Sequence, residues 1–226
     1  MKPSDTLAAV VPYAVWMVLM FALPGTAASY AIRSACALVA LAVFLPKDGG
    51  RVARPFFSGR AWASLAWGLA AGLLVTVLWI APESIPAYRD FSLVGFLGLG
   101  GGAAAGASPY DPAVCGWPLT AVRLAGSAFV IAAVEELFFR SFLYRWLQKS
   151  DWTKVDPGKF DLSAFLWMIG LFSLEHHTRL AAGAMAGAVY GFVAIRRGIG
   201  SAIVAHMTTN FALGVWVVAT RDWNFW

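Results

Sequence analysis

Ionisable side chains interrupt three otherwise apolar stretches in the second half of this sequence. They are Glu135, Glu136 and Arg140 in the first stretch, Glu175, His176 and His177 in the second, and His206, with the amide Asn210, in the third. All three histidines of the chain belong to this set. Since a charged residue at the centre of a membrane helix costs at least about 2.5 kcal/mol on insertion scales, such residues indicate a functional site.

The spacing within two of these stretches places polar groups on common helix faces. Glu136 and Arg140 are four residues apart, so they lie on one face and can form a hydrogen-bonded ion pair. Glu135 lies about 100° away around the helix and has no local partner. His206 and Asn210 are also four residues apart and present an imidazole and an amide along one stripe. We therefore expect the polar faces of three helices to meet in one interior cavity.

Polar groups of these kinds fit three functions. Polar contacts can simply hold neighbouring helices together. A proton or ion pathway is a second interpretation, but it predicts further acidic or histidine residues along the membrane normal, and the first half of the sequence offers almost none. In a hydrolytic site, a glutamate and a histidine activate one water while a second histidine and an asparagine stabilise the oxyanion. This third interpretation uses the set most fully and is favoured.

The composition indicates the kind of protein that must position these groups. Of the 226 residues, 60% are hydrophobic and 13% are charged, against about 25% charged in an ordinary soluble domain. With 11 Trp, 16 Phe and a mean hydropathy of +0.69, the chain is not a soluble globule, a disordered tail or a fibrous repeat. The length allows a single membrane domain. Cys36 and Cys115 lie in different settings and do not indicate a disulfide framework.

Seven apolar segments are candidates to cross a bilayer, which takes about 20 residues. They are Leu7–Leu23, Ala27–Leu45, Ala61–Ala81, Leu119–Tyr144, Asp161–His176, Leu180–Ile195 and Gly200–Thr220. The glycine-rich segment 92–108 is apolar but favours a re-entrant or irregular conformation over an eighth helix. Gly68 and Gly72 form a GxxxG step, which indicates close helix packing. We expect an all-α polytopic transmembrane helical bundle of seven or eight spans.

The distribution of Lys and Arg predicts the orientation of the bundle. With seven spans and the N-terminus inside, eleven basic residues fall on the inner side and four on the outer side. The inner ones are Lys2, Lys47, Arg51, Arg54, Arg60, Arg145, Lys149, Lys154, Lys159, Arg196 and Arg197, and the outer ones are Arg89, Arg123, Arg179 and Arg221. The positive-inside rule thus explains the net charge of +5 better than nucleic-acid binding does. Arg33, alone in the second span, is expected to snorkel or to pair with a carboxylate.

The three polar stretches resemble the motifs of the CPBP intramembrane proteases, the CAAX-processing and bacteriocin-processing (Abi) family. The family pattern EExxxR corresponds to Glu135-Glu136-Leu-Phe-Phe-Arg140, FxxxH to Phe172-Ser-Leu-Glu-His176, and Hxxx(N/B) to His206-Met-Thr-Thr-Asn210. Their order on separate apolar spans makes the combination specific. The resemblance implies a catalytic helical core over residues 118–220, preceded by transmembrane helices and a glycine-rich connection over residues 1–117.

The resemblance also implies the chemistry of the matched residues. Glu135 would be the catalytic glutamate that, with His176, holds and deprotonates the attacking water. His206 and Asn210 would form the oxyanion pocket. The protein would then be an intramembrane endopeptidase that hydrolyses a peptide bond in a membrane-anchored or lipid-modified protein or peptide.

Other residues of the motifs would support this site. Glu136 and Arg140 would orient the helix by pairing, and Phe172 would pack beside the site. Glu175 and His177 lie outside the motifs, and His177 would replace the neighbouring imidazole if its helix were rotated.

The short length and the Trp-Asn-Phe-Trp ending further resemble the CAAX prenyl protease-related subfamily of bacterial PEP-CTERM/exosortase systems. This finer resemblance implies a bacterial inner-membrane protein. Membrane lipids and a membrane-anchored protein or peptide are the expected partners, and nucleic acid is not. The alternatives are a non-catalytic immunity or assembly factor that uses the same cavity, and a proton-coupled carrier.

A metal mechanism is the remaining alternative. Glu135, His176 and His206 could hold zinc and leave an open position for water. The helical zinc signature HExxH does not occur in the sequence. The neutral amide of Asn210 is a better hydrogen-bond donor than zinc ligand. We therefore favour a glutamate mechanism without a cofactor, with a zinc-dependent protease as the alternative.

Overall fold

A computed structural model describes residues 3–45, 60–89 and 107–226 of the chain. Seven long helices account for most of these ranges. They are α1 (Pro3–Ala22), α2 (Ala27–Phe44), α3 (Ala61–Ile80), α4 (Trp117–Gln148), α5 (Leu162–Glu175), α6 (Leu180–Arg197) and α7 (Ile199–Thr220). No strand occurs in the described ranges. The predicted all-α bundle is confirmed.

Six of the helices are long and apolar enough to cross a membrane, and the chain is a multi-pass membrane protein. The exception is α5, whose 14 residues extend over about 21 Å at 1.5 Å per residue. Its predicted counterpart, Asp161–His176, lies at the same place but is too short to span alone. Most of the glycine-rich segment, residues 92–106, lies outside the described residues, so its re-entrant or irregular conformation stays a prediction and an eighth span the alternative.

Capping side chains and a glycine determine where several helices begin and end. The Thr26 side chain accepts a hydrogen bond from the Ser29 amide and caps α2, as Thr does at helix starts. Asp161 caps α5 in the same way. Between α6 and α7, Gly198 adopts a φ of 90°, a conformation that suits glycine and lets the chain reverse direction. Cys36 and Cys115 are both free, as expected.

α3 and α7 pack closely because α3 presents glycine to its neighbour. A Cβ on Gly72 would collide with the carbonyl oxygen of Ala205 and the side chain of Thr208. The Thr209 hydroxyl donates to the Gly72 carbonyl at 2.9 Å inside the interface. Small residues allow such backbone approach in membrane helices. The packing holds α7, and with it the His206 stripe, against the bundle.

α4 is a continuous helix with two π-helical segments. Gly126–Ile131 and Leu137–Leu143 flank the α-helical turn Ala132–Glu136. A π-segment adds a residue to a turn and changes the direction of the side chains that follow, and such segments are frequent at functional sites. The Glu135–Glu136 pair therefore lies on a turn whose orientation depends on the π-helical segments before and after it.

Candidate active site

A cavity of about 510 Å³ lies inside the bundle. Its lining includes Glu135 of α4, Phe172 and His176 at the end of α5, and His206 and Asn210 of α7. The structure thus brings five of the seven predicted site residues together, from three helices. The catalytic roles assigned to them stay predictions.

Two consecutive glutamates flank the imidazole of His206. Glu136 Oε1 lies 2.9 Å from the ring Nδ1, and Glu135 Oε2 lies 3.8 Å from the ring Nε2. The His206 residue is only 4% exposed. If Glu136 is ionised it can only accept, so Nδ1 carries the proton and donates it, and in the neutral ring Nε2 keeps its lone pair. The imidazole is therefore fixed at one nitrogen and faces Glu135 with the other.

Glu136 is also the partner of Arg140, as their spacing predicts. The Arg140 Nη1 lies 2.9 Å from the same Oε1 that accepts from His206, and both side chains are essentially buried. The Arg140 guanidinium also lies 4.0 Å over the ring of Phe172. One buried carboxylate therefore joins a cation on its own helix to the imidazole of α7.

Aromatic rings enclose the two imidazoles. Tyr190 of α6 stacks on His206 with 4.7 Å between ring centroids and 21° between planes. The Phe172 ring contacts His176 at 4.6 Å, and Trp79 of α3 meets the same imidazole edge-on at 5.3 Å. Such apolar walls strengthen the electrostatic interactions of the groups that they surround.

His176 and the adjacent His177 lie in different surroundings. Its Nδ1 lies 2.9 Å from the Phe172 carbonyl oxygen, and since a carbonyl only accepts, Nδ1 donates and the neutral ring keeps a lone pair on Nε2. His177 is exposed and does not line the cavity. The expectation that His177 could replace His176 through a rotated helix is not met in this structure.

Asn210 lines the cavity and also holds α7 to α4. Its Nδ2 donates to the Ser127 carbonyl at 3.0 Å, inside the first π-segment of α4. A primary amide has two N–H groups, so one remains for a ligand. The predicted oxyanion donor is thus anchored by the helix that carries Glu135.

A second carboxylate, Glu175, lines the same cavity. It accepts a hydrogen bond from the Tyr13 hydroxyl of α1 at 3.0 Å. Tyr13 in turn stacks on Phe138 of α4 with ring centroids 4.0 Å apart. Glu175 therefore has a partner on α1, whereas Glu135 Oε2 is buried without a hydrogen-bond partner among the described residues.

The zinc alternative needs three converging ligands. Among the described residues, no group of three or more His, Cys, Asp or Glu side chains is arranged to hold a metal ion. The predicted set Glu135, His176 and His206 therefore does not fit a zinc centre in this geometry, and we derive no step through a metal.

Sequence reasoning did not assign Trp79, Arg123 and Tyr190 to this cavity, nor Tyr13, whose hydroxyl donates to the cavity residue Glu175. Trp79 ends an apolar span, which is typical of an interfacial anchor, yet it packs on His176. Arg123 was counted with the outer loops but belongs to α4. No local pattern distinguishes these residues, since their positions depend on how the helices pack.

Residues 117–212 match the family described as "Rce1-like: Type II CAAX prenyl endopeptidase Rce1-like". The match begins with α4 and ends just beyond Asn210, so it contains all three motifs. The match supports the resemblance to the CPBP/CAAX proteases over this part of the chain, and the matched family indicates CAAX-type intramembrane protease activity in general. No curated protein and no solved structure matches the chain.

Proposed function

We propose that the protein is an intramembrane endopeptidase in which Glu135 activates a water for attack on a peptide bond. The observation that carries the proposal is the position of this carboxylate. Glu135 is 6% exposed, its Oε2 has no hydrogen-bond partner among the described residues, and it faces a cavity shared with two imidazoles. A buried carboxylate without a partner is costly, and a bound water that donates to it offsets this cost.

The reaction uses groups that already line the cavity. Glu135 takes one proton of the water, and the lone pair on His176 Nε2 accepts the other O–H as a hydrogen bond, which orients the oxygen for attack. The carbonyl oxygen of the substrate becomes an oxyanion, and the free N–H of Asn210 donates to it. Glu135 then returns its proton to the leaving amine, so protons balance over the cycle.

His206 contributes as a second donor once its Nε2 is protonated. Glu135 Oε2 lies 3.8 Å from this nitrogen, so a small shift of the side chains lets the protonated Glu135 pass the proton of the water to Nε2. His206 returns this proton to Glu135 before Glu135 protonates the leaving amine. Glu136, bonded to Nδ1 at 2.9 Å, stabilises the imidazolium that forms. This is the arrangement of a base, an imidazole and an orienting carboxylate that hydrolases use repeatedly.

The substrate is a membrane-anchored or lipid-modified protein or peptide. The cavity extends from His206 to Gly25, between α1 and α2, and to Phe225 and Trp226 beyond α7. With the N-terminus inside, these connections lie on the outer face, so the scissile segment enters from that side. We place the protein in the bacterial inner membrane, with a role beside PEP-CTERM/exosortase systems as the finer expectation.

Replacement of each cavity carboxylate by its amide tests the proposal. In liposomes with a membrane-anchored peptide, Glu135→Gln should lower the cleavage rate by at least about 100-fold, because general-base contributions reach this size. Glu175→Gln is the matched control, since it removes a carboxylate from the same cavity and should retain most activity. Mass spectrometry of the products gives both rates. Full cleavage by Glu135→Gln would exclude this mechanism.

The same variants separate the rival functions. A non-catalytic immunity or assembly factor keeps its biological phenotype in Glu135→Gln, whereas a protease loses it. A proton-coupled carrier shows transport that depends on membrane potential and yields no peptide products.

A further inference from the structure

A groove of about 1000 Å³ lies between α3, α5 and α6, outside the catalytic cavity. Its apolar walls include Trp67 and Leu74 of α3, Phe165 of α5 and Phe192 of α6. Trp67 is 52% exposed and Phe192 is 54% exposed, so these walls are open to the bilayer. No residue lines both this groove and the catalytic cavity. The groove is therefore a separate feature that the proposed mechanism does not use.

Two consecutive arginines, Arg196 and Arg197, line one end of the groove, in the last turn of α6. The Arg197 guanidinium lies 5.2 Å from the centroid of the Trp67 ring. The Arg196 guanidinium lies 5.3 Å from the centroid of the Phe192 ring. Both cations are thus placed over rings that form the groove walls. Among the described residues that line the groove none is acidic, so this end carries a positive potential.

The depth of the groove matches one leaflet of a membrane. The interval from Ala188 to Arg197, both in the lining, is nine residues, or about 14 Å of α6 at 1.5 Å per residue. This is close to half of a hydrocarbon layer about 30 Å thick. On the predicted orientation the arginine end faces the inner side, where the leaflet carries anionic lipids. The apolar depth and the cationic end together match a lipid with a negative headgroup.

We propose that this groove binds an anionic phospholipid, with an acyl chain along α3 and α6 and the phosphate at Arg196 and Arg197. The edge of a guanidinium donates two parallel hydrogen bonds to phosphate oxygens, and a ring contact uses its flat face, so the two contacts are compatible. Basic pockets between transmembrane helices bind lipid headgroups in this way. An extended peptide fits less well, because the apolar walls cannot satisfy its backbone polar groups.

Lipid binding by the unmodified protein tests the proposal directly. Phosphatidylglycerol and phosphatidylcholine with identical acyl chains are added in equal amounts to the delipidated protein, and native mass spectrometry in detergent counts the bound lipids. The arginines should favour phosphatidylglycerol by about 25-fold in affinity, since each basic residue near the headgroup contributes about fivefold. One tightly bound phosphatidylglycerol per chain is expected. Equal affinities for the two lipids would overturn the proposal.

Arginine variants locate the headgroup. Arg196→Gln and Arg197→Gln should each weaken phosphatidylglycerol binding about fivefold, with little change for phosphatidylcholine. Arg197→Lys should retain most of the affinity, because the charge is kept. Lys154→Gln is the matched control, since it removes an exposed cation on the same predicted side, outside the groove. A double glutamine variant that still prefers phosphatidylglycerol would contradict the assignment of the headgroup.

A variant that fills the groove locates the acyl chain. Ala70→Phe places a ring within the lining and should weaken binding of both lipids about tenfold, the effect of displacing about two buried methylene groups. Ala181→Phe is the control, since this exposed alanine begins the other end of α6 and does not line the groove. Thermal unfolding in detergent shows whether each variant folds, and Ala188→Phe replaces Ala70→Phe if the latter unfolds. Equal lipid binding by the filled and control variants would exclude the groove.

Two other occupants would give different results. If a lipid-modified substrate peptide displaces phosphatidylglycerol, and Ala70→Phe raises KM for that peptide but not for its unmodified form, the groove holds the substrate anchor and the proposal is wrong. If the mass spectra show a dimer that Ala70→Phe dissociates, the groove is an interface between copies of the chain and the proposal is also wrong. The lipid affinities do not depend on cleavage, so the lipid site and the proposed protease function can fail separately.

Discussion

Glu136 Oε1 lies 2.9 Å from His206 Nδ1 and 2.9 Å from Arg140 Nη1. One oxygen atom therefore connects the ion pair of α4 with the imidazole of α7. A change at Glu136 should affect both the stability of the bundle and the tautomer of the His206 imidazole. This dual dependence gives the first prediction.

Arg140→Ala and Glu136→Gln should each destabilise the protein, because each leaves a buried charge without its partner. The expected cost is about 3–5 kcal/mol, measured as a lower unfolding temperature and lower abundance in membranes. Glu83→Gln is the control, since it breaks an ion pair with Arg179 whose side chains are 15% and 17% exposed. That pair lies nearer the surface and should cost less, about 1 kcal/mol. Equal costs in the two pairs would contradict the prediction.

His176 and His177 should contribute very differently to the cleavage rate. His176→Gln should reduce cleavage by at least about 100-fold, since the lone pair that orients the water is lost. His177→Gln should leave the rate within about threefold, as this side chain is exposed and does not line the cavity. Steady-state rates with one anchored peptide check both. The reverse ranking would show that the end of α5 is rotated in the active protein.

Gly72 of α3 should be important for stability, because a side chain at this position would collide with α7. Gly72→Ala places a methyl group against the backbone of Ala205 and should cost about 1–3 kcal/mol by overpacking. Gly170→Ala in α5 meets nothing within 4 Å and should be neutral or gain up to about 1 kcal/mol from helix propensity. Thermal unfolding in detergent measures both. If the two alanines behave alike, close packing of α3 on α7 is not important for stability.

Chelation tests the choice between a glutamate and a metal. Under the glutamate mechanism, 1,10-phenanthroline leaves the cleavage rate unchanged, and added zinc inhibits if it occupies the imidazoles. Under the zinc alternative, the chelator abolishes turnover and zinc restores it. Reversible loss of activity with stoichiometric zinc in the active preparation would refute the glutamate mechanism while leaving the protease assignment in place.

The sequence was sufficient to predict contacts between residues that lie close together in one helix. The interval from Glu136 to Arg140 is enough to predict their pair, because four residues of helix bring side chains together. It did not predict that His206 lies between Glu135 and Glu136, since that depends on the approach of α7 and on the two π-segments of α4. Periodicity gives the bounds of most spans closely, but it cannot reveal a π-segment, which leaves the hydropathy of α4 unchanged.

Arg33, which is 6% exposed and has no ion pair with a carboxylate of the described residues, departs from the expectation for a similar reason. A lone arginine in an apolar span is expected to reach the interface or a carboxylate, and both expectations treat the helix as isolated. The structure surrounds it instead with Trp16 and Tyr30. Long-range aromatic contacts of this kind leave no periodic signature, so only the assembled bundle reveals them.

The brevity of α5 has a consequence for the surrounding lipid. Its outer face exposes Leu162, Leu166, Trp167 and Leu174 to the bilayer, yet the helix covers only about 21 Å of a hydrocarbon layer about 30 Å thick. Acyl chains beside α5 must therefore shorten or tilt, a hydrophobic mismatch that costs a fraction of a kcal/mol per Å. Because His176 follows the last turn of this helix, the thickness of the host membrane helps to determine how close water comes to the imidazole.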